Sequence, residues 1–303
     1  MHITFAGTPK FSKIVLEKIL KSDLSINAVI TTKDKPRGRG QEKKPSPVKE
    51  IAERENLRIF HQIEDVIDET DLVLVAAYGR IFSKEILENP KYGFLNVHPS
   101  LLPKYRGPTP IQAAILNGDK KTGVTIMLMN EEMDGGPILN QREILLTKKE
   151  YYKDLEKKLA ESGGEILSET VKKWVKEKIT PESQNNSEAT YTDLLKKEDG
   201  RINWEKSAEK IEREVRAYNP WPGCYGKIEK KLLKVYKASV QKQTEDGPFG
   251  PPGKTYLGSN EKIAVQTEKD FLLIEELQIE GGKKMSSKEF LQGNIDLIGN
   301  VLH

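Results

Sequence analysis

Apolar residues fall along this chain in short clusters whose spacing changes twice. In the first hundred residues, apolar runs at 3–6, 26–31, 57–60, 72–77 and 94–97 are separated by polar stretches. The run at 72–77 is nearly unbroken, as a strand buried on both faces requires, and 94–97 is another of this kind. Between the first two runs, Phe11, Ile14, Val15, Ile19 and Leu20 form a helical stripe, which predicts a helix over 11–20. A second helix is predicted over 46–55, with Pro47 in its first turn, where a missing N–H costs nothing. This alternation predicts a doubly wound, Rossmann-like α/β sheet. Residues 151–178 predict a long amphipathic helix with a candidate break at Gly163-Gly164. The polar stretch around Gln184-Asn185-Asn186-Ser187 reads as part of a linker over 181–204. A helix over 207–217 then precedes short strands around 231–240, 253–256, 262–266 and 271–279, joined by turns rich in Gly and Pro. That spacing predicts a small β-barrel. The pattern divides the chain into an α/β domain at 1–180, a linker at 181–204 and a barrel domain at 205–303.

Composition narrows the function without fixing it. With 303 residues the chain can bury two cores. Its 36% hydrophobic and 31% charged residues describe a highly charged globular protein. The net charge of +3 is too small to argue for a polyanionic partner. Its distribution says more, because residues 33–49 hold seven Lys or Arg against two Asp or Glu, and the remainder is slightly acidic. A local basic segment on a nearly neutral body is an electrostatic footprint for a polyanion, and equally an ordinary solvated loop. A single cysteine, Cys224, excludes an intramolecular disulfide and suits a reducing compartment. No apolar run reaches membrane-span length, and the first residues enter a strand directly. A cytoplasmic monomer without a membrane partner is the expectation.

The chemistry concentrates in Asn96-Val97-His98-Pro99-Ser100-Leu101-Leu102-Pro103-Lys104-Tyr105-Arg106-Gly107. In a strand, residues i and i+2 share a face, so Asn96 and His98 would look into one site. Both lie at the carboxyl end of a strand, where such sheets bind ligands. An amide donor beside an imidazole is what a developing oxyanion needs. The proline-framed loop that follows can wall a pocket. Asp134, in Met133-Asp134-Gly135-Gly136, is a candidate third member, although Asp-Gly-Gly is also an ordinary turn. The four histidines show no metal-ligand spacing and Cys224 stands alone, so no metal is expected. Gly7-Thr8-Pro9 lacks the spacing of either common phosphate loop.

This constellation resembles the folate-dependent formyltransferases, whose signature is Asn, His and a distant Asp around a Ser-Leu-Leu-Pro loop. The similarity runs from Phe5-Ala6-Gly7-Thr8-Pro9 to near Phe290. It implies 10-formyltetrahydrofolate as formyl donor, and Asn96, His98 and Asp134 as the catalytic set. Asn96 would bond the oxygen that becomes negative. His98 and Asp134 would divide the proton handling between them, in a division that stays open. The resemblance also implies a folate site formed by Tyr78, Gly79 and Ile81 together with Ser100, Leu101, Leu102 and Pro103, and an oligonucleotide-binding type of barrel. From its own spacing the barrel could be another small one.

Within the family, three segments favour a member acting on initiator methionyl-tRNA over those acting on a nucleotide sugar, on water or on a ribonucleotide. The first is the basic stretch with Arg37, Arg39, Lys43 and Lys44, which resembles a tRNA-reading loop. The others are Asn219-Pro220-Trp221-Pro222-Gly223-Cys224 and Gly282-Lys283-Lys284-Met285-Ser286-Ser287-Lys288-Glu289-Phe290. Lys284 to Lys288 also resembles a signature of class I aminoacyl-tRNA synthetases, but the partner motif with two nearby histidines is absent. Ser286 and Glu289 instead predict a helix capping box before Phe290. Two departures from the family pattern stand out. Gly135 occupies a position that is often Ser or Thr, and Asn130 one that is usually acidic.

Overall fold

In the computed structural model, which describes residues 1–37, 42–229, 231–244 and 249–303, the apolar runs become the strands of one sheet. Chain order in the first half is β1 (Ile3–Gly7), α1 (Lys10–Leu20), β2 (Ala28–Ile30), β3 (Lys35–Arg37), β4 (Glu42–Lys44), α2 (Pro47–Arg54), β5 (Arg58–Phe60), β6 (Leu72–Ala76), α3 (Lys84–Glu88), β7 (Phe94–His98), α4 (Pro110–Leu116), β8 (Lys121–Leu128), β9 (Ile138–Leu145) and α5 (Tyr152–Trp174). Seven of the strands pair in the order β5-β2-β1-β6-β7-β8-β9. Pairing is parallel from β5 to β7 and antiparallel from β7 to β9. Every residue of β1, β6 and β7 is buried, which accounts for their unbroken apolar character. The pattern did not predict β8 and β9, although β8 is also buried over most of its length. The basic segment, read from sequence as a loop, is a hairpin in which β3 pairs with β4.

The candidate break at Gly163-Gly164 is absent, because α5 is one continuous helix. Both glycines are buried for a steric reason. A Cβ on Gly163 would lie 2.7 Å from Val97 Cγ1, and one on Gly164 would lie 2.5 Å from Lys18 Cβ. Close approach to β7 and α1 offsets the ~1 kcal/mol that glycine costs inside a helix. Gly163→Val should therefore overpack the contact with β7 and destabilise this unit by ~1–3 kcal/mol. A urea-unfolding midpoint unchanged by the substitution would mean that the helix can shift away freely.

The second half holds α6 (Ala208–Tyr218), β10 (Cys224–Ile228), β11 (Lys231–Gln241), β12 (Thr255–Leu257), β13 (Ile263–Gln266), β14 (Phe271–Ile279), β15 (Met285–Ser286) and α7 (Ser287–Leu291). The strands form an antiparallel sheet in the order β10-β11-β14-β13-β12, with β15 on β14. A register shift around Lys237 interrupts the long β11–β14 ladder, as a sheet that must curl requires. The last residues join its two ends. The His303 N–H donates to the Lys227 carbonyl on β10, while Leu302 donates to Gly253 and the Thr255 N–H of β12 to the Asn300 carbonyl. The predicted capping box is present, with Ser286 Oγ accepting from the Glu289 N–H and Glu289 reaching back to the Ser286 N–H. Cys224 is buried, and desolvation pushes its thiol well above the usual range.

Compact grouping of the chain differs from the sequence division. Residues 1–110, 121–146 and 154–193 form one unit, and 111–120, 147–153 and 194–303 the other. The stretch 181–193, expected as linker, is thus built into the first unit.

Candidate active site

Asn96 and His98 lie at the carboxyl end of β7, between β6 and β8. Asn96 is in register with Val75 and Met127, and His98 with Thr125. Their positions two apart put both side chains on one face, as expected. Asn96 is 9% exposed and His98 4%. The structure brings the third residue to them. Asn96 Nδ2 and His98 Nδ1 each lie 3.5 Å from the same oxygen, Asp134 Oδ1. The other carboxylate oxygen accepts the Gly107 N–H at 2.8 Å.

The imidazole is fixed from its far side. His98 Nε2 lies 2.9 Å from the Tyr105 carbonyl oxygen. A carbonyl only accepts, so Nε2 must carry hydrogen, and Nδ1 is the nitrogen left to exchange a proton. Tyr105 and Asp134 both adopt left-handed backbone, at φ 62° and 50°. Such conformations cost of order ~1–3 kcal/mol each and persist only where the surroundings impose them. For Tyr105 the surroundings are residues 190–192. Thr190 Oγ1 accepts the Tyr105 N–H at 2.8 Å, and the Thr190 carbonyl accepts the Arg106 N–H at 2.8 Å. Thr192 donates its N–H to the Arg106 carbonyl. This strap was invisible to the pattern, which saw only polar residues.

Gly135 has a physical account. A Cβ there would come within 2.6 Å of Glu132 Cγ, and closer still to its carboxyl group. Glycine leaves room for Glu132 to turn back and pair with Arg106 at 2.7 Å. Asn130 caps the same turn, its Oδ1 accepting the Glu132 N–H at 3.1 Å.

The expected folate set separates into two groups. Ser100 and Leu102 face inward, with Ser100 Oγ donating to the Lys104 carbonyl at 2.6 Å and the Leu102 N–H donating to Thr125 Oγ1 at 3.1 Å. Leu101 packs where a side chain on Gly123 would sit, and the Pro103 carbonyl accepts the Thr190 N–H at 3.3 Å. The polar groups of these four residues are thus held by Lys104, by Thr125 and Gln141 of β8 and β9, and by the Thr190 N–H. Tyr78 is buried and stacks on Phe82, whereas Gly79 faces open space and Ile81 is 87% exposed. Of the basic set, Lys43 and Lys44 are exposed on β4 and Arg37 ends β3, while Arg39 lies outside the described residues. Among the described residues no group of three His, Cys, Asp or Glu stands close enough to hold a metal ion, and no helix is long and apolar enough to cross a membrane.

Residues 1–171 match the formyl transferase family and residues 194–294 match its C-terminal domain. A methionyl-tRNA formyltransferase of Caldanaerobacter subterraneus subsp. tengcongensis is 41% identical over 315 residues, covering 100% of both chains. One from Pseudoalteromonas translucida is 39% identical over 313 residues, covering 100% of this chain and 97% of that one. Among solved structures, an N-formyltransferase from Helicobacter canadensis, in complex with folinic acid and dTDP-3-aminofucose, is similar with a TM-score of 0.71 at 20% identity, covering 94% of this chain and 100% of that one. HypX from Aquifex aeolicus, in complex with tetrahydrofolic acid, reaches 0.63 at 19% identity, covering 96% of this chain and 47% of the other. At these identities the two structures speak for the fold alone.

Proposed function

We propose, from the premise that the chain belongs to the formyl transferase family, that it transfers the formyl group of 10-formyltetrahydrofolate to the amino group of initiator methionyl-tRNA. The products are formylmethionyl-tRNA and tetrahydrofolate, and the reaction serves translation initiation. Whole-length kinship with methionyl-tRNA formyltransferases supports the choice of acceptor. One observation carries the chemistry: an amide donor and a proton-exchanging imidazole nitrogen converge on one carboxylate oxygen.

The methionyl nitrogen attacks the formyl carbon, a C–N bond forms, the bond to the folate nitrogen breaks, and one proton passes from the amine to that folate nitrogen. Negative charge collects on the formyl oxygen in between. Asn96 Nδ2 makes only a long bond to Asp134, so it is free to turn its N–H toward that oxygen. Asp134 accepts a proton from the attacking amine, directly or through water, and His98 Nδ1 passes it toward the leaving nitrogen. Gly107 and Tyr105 hold the two acid–base partners at fixed orientation. Gly79 and Ile81 offer the open wall for the pterin, and Ser100, Leu101, Leu102 and Pro103, of which Ser100 and Leu102 are buried, set the shape of the opposite one. The site belongs to a monomer working in the cytoplasm, which light scattering and cell fractionation would test.

The test is transfer of labelled formyl from 10-formyltetrahydrofolate to methionyl initiator tRNA, with methionyl elongator tRNA as control. Transfer to the initiator is the expected result. Folate turnover in water or onto an amino sugar would keep the chemistry and reject the acceptor. The basic hairpin gives a second check. Each phosphate contact contributes about 0.7–0.9 to the slope of log affinity against log salt. Replacing Lys43 and Lys44 together by alanine should flatten the slope for tRNA and raise its KM more than that for folate. Arg39→Ala should act in the same direction, and equal effects on both substrates would detach the hairpin from tRNA.

A further inference from the structure

Among the described residues Arg106 is the largest side chain that is fully buried, at 0% exposure, and the proposed mechanism gives it no task. Its guanidinium is spent on neighbours. Nε and Nη2 donate to Gln184 Oε1 at 3.1 and 2.9 Å, Nη2 to Asn186 Oδ1 at 2.7 Å and Nη1 to Glu132 Oε1 at 2.7 Å. Gln184 then turns its other end the opposite way, its Nε2 donating to the carbonyl oxygens of Asp134 and Gly136 at 2.8 and 2.7 Å. The orientation of this amide is forced by chemistry. Guanidinium offers only donors and carbonyls only acceptors, so oxygen must face Arg106 and nitrogen must face the Asp134 turn. All four bonding directions of the amide are used, and no other side chain of that size both accepts and donates in this way.

We propose that Gln184 is a positioning residue for the reaction: anchored by buried Arg106, it holds the turn that carries Asp134 in its left-handed conformation. Asp134 keeps its carboxylate on His98 and Asn96 only while its own backbone is pinned. The pin comes from a segment fifty residues downstream, outside the sequence range that matches the family's N-terminal domain. Glu132 braces the other side of the turn from the same guanidinium, so Arg106 supports both flanks of Asp134.

The inference rests on the formyl-transfer reading, and its experiment separates the two. Gln184→Glu keeps the oxygen that Arg106 needs and replaces the two donors by an oxygen facing two carbonyls. The anchor therefore survives while the pin is lost. In the labelled-formyl assay, with parent protein alongside, kcat should fall at least ~10-fold while both KM values stay within about threefold, the pattern of an interaction needed in the transition state alone. Asn186 is exposed, and the denaturant midpoint of Asn186→Ala is measured alongside its kinetics. By removing one acceptor of Arg106 it should lower kcat about three- to tenfold, again at constant KM. A kcat within about twofold of the parent in both variants, or a loss carried by KM, overturns the positioning role. Parent protein that transfers no formyl group at all removes the reaction instead, and the inference with it.

Discussion

Asn96→Ala is expected to lower formyl transfer by ~10²–10³, equivalent to ~2.7–4 kcal/mol of transition-state stabilisation, with little change in KM for either substrate. The reason is the direction of charge. The formyl oxygen is neutral when the donor binds and negative when the amine has added, so a fixed amide N–H contributes most at the moment of reaction. Asn96 sits on a strand buried along its whole length, paired on both sides, and its side chain makes one long contact. Truncation removes the donor and leaves no strong partner unsatisfied. The variant should unfold at the parent's denaturant midpoint. Turnover near that of the parent would exclude Asn96 from the oxyanion site.

Asp134→Asn is expected to cost at least as much, ~10²–10⁴ in kcat. The same change in the triad of serine proteases acts by imposing the wrong tautomer on the histidine. Here the far nitrogen of His98 is already committed to the Tyr105 carbonyl. An amide at position 134 can still accept the Gly107 N–H through its oxygen, which turns its NH₂ toward His98 Nδ1. That nitrogen would then be locked as an acceptor and could not give a proton up. Asp134→Ala should be equally impaired but, lacking that lock, should be rescued in part by small carboxylic acids such as formate. Full activity in both variants would move the proton handling to other residues. Rescue of the Asn variant by formate would count against the locked tautomer.

What the sequence made legible follows from burial. Strands β1, β6 and β7 are apolar without interruption because both faces are covered, and no other element type explains runs so short. The pairing of Asn96 with His98 was readable for the same reason, since a strand's period of two needs no tertiary knowledge. Strand β9 escaped because Asn140, Gln141 and Arg142 fall in its middle, where Gln141 reaches inward to bond the Leu102 carbonyl and Thr125. The glycine pair in α5 looked like a break because propensity counts only the local cost, and the compensating approach of Val97 and Lys18 is tertiary. The strap is the most instructive case. Gln184, Asn186, Thr190 and Thr192 are residues of a solvated loop by composition, yet each has a hydrogen-bond partner in the loops on either side of His98 and Asp134. Composition cannot distinguish polar groups bonded to water from those bonded to protein. A Ser-Leu-Leu-Pro loop likewise does not say by composition which of its side chains turn inward, as Ser100 and Leu102 do.

The closure of the barrel by residues 300–303 also sets a clock for the protein's manufacture. The ribosome delivers residues in order, and part of the edge of β10 and the edge of β12 stay open until residues 300–303 have emerged. The α/β unit has by then had its last segment, the strap, available for more than a hundred residues of elongation, some 5–20 s at typical speeds of about 5–20 residues per second. A nascent chain thus holds its chemistry ready before its second domain can seal, and exposed strand edges during that interval are where this protein is most open to wrong partners.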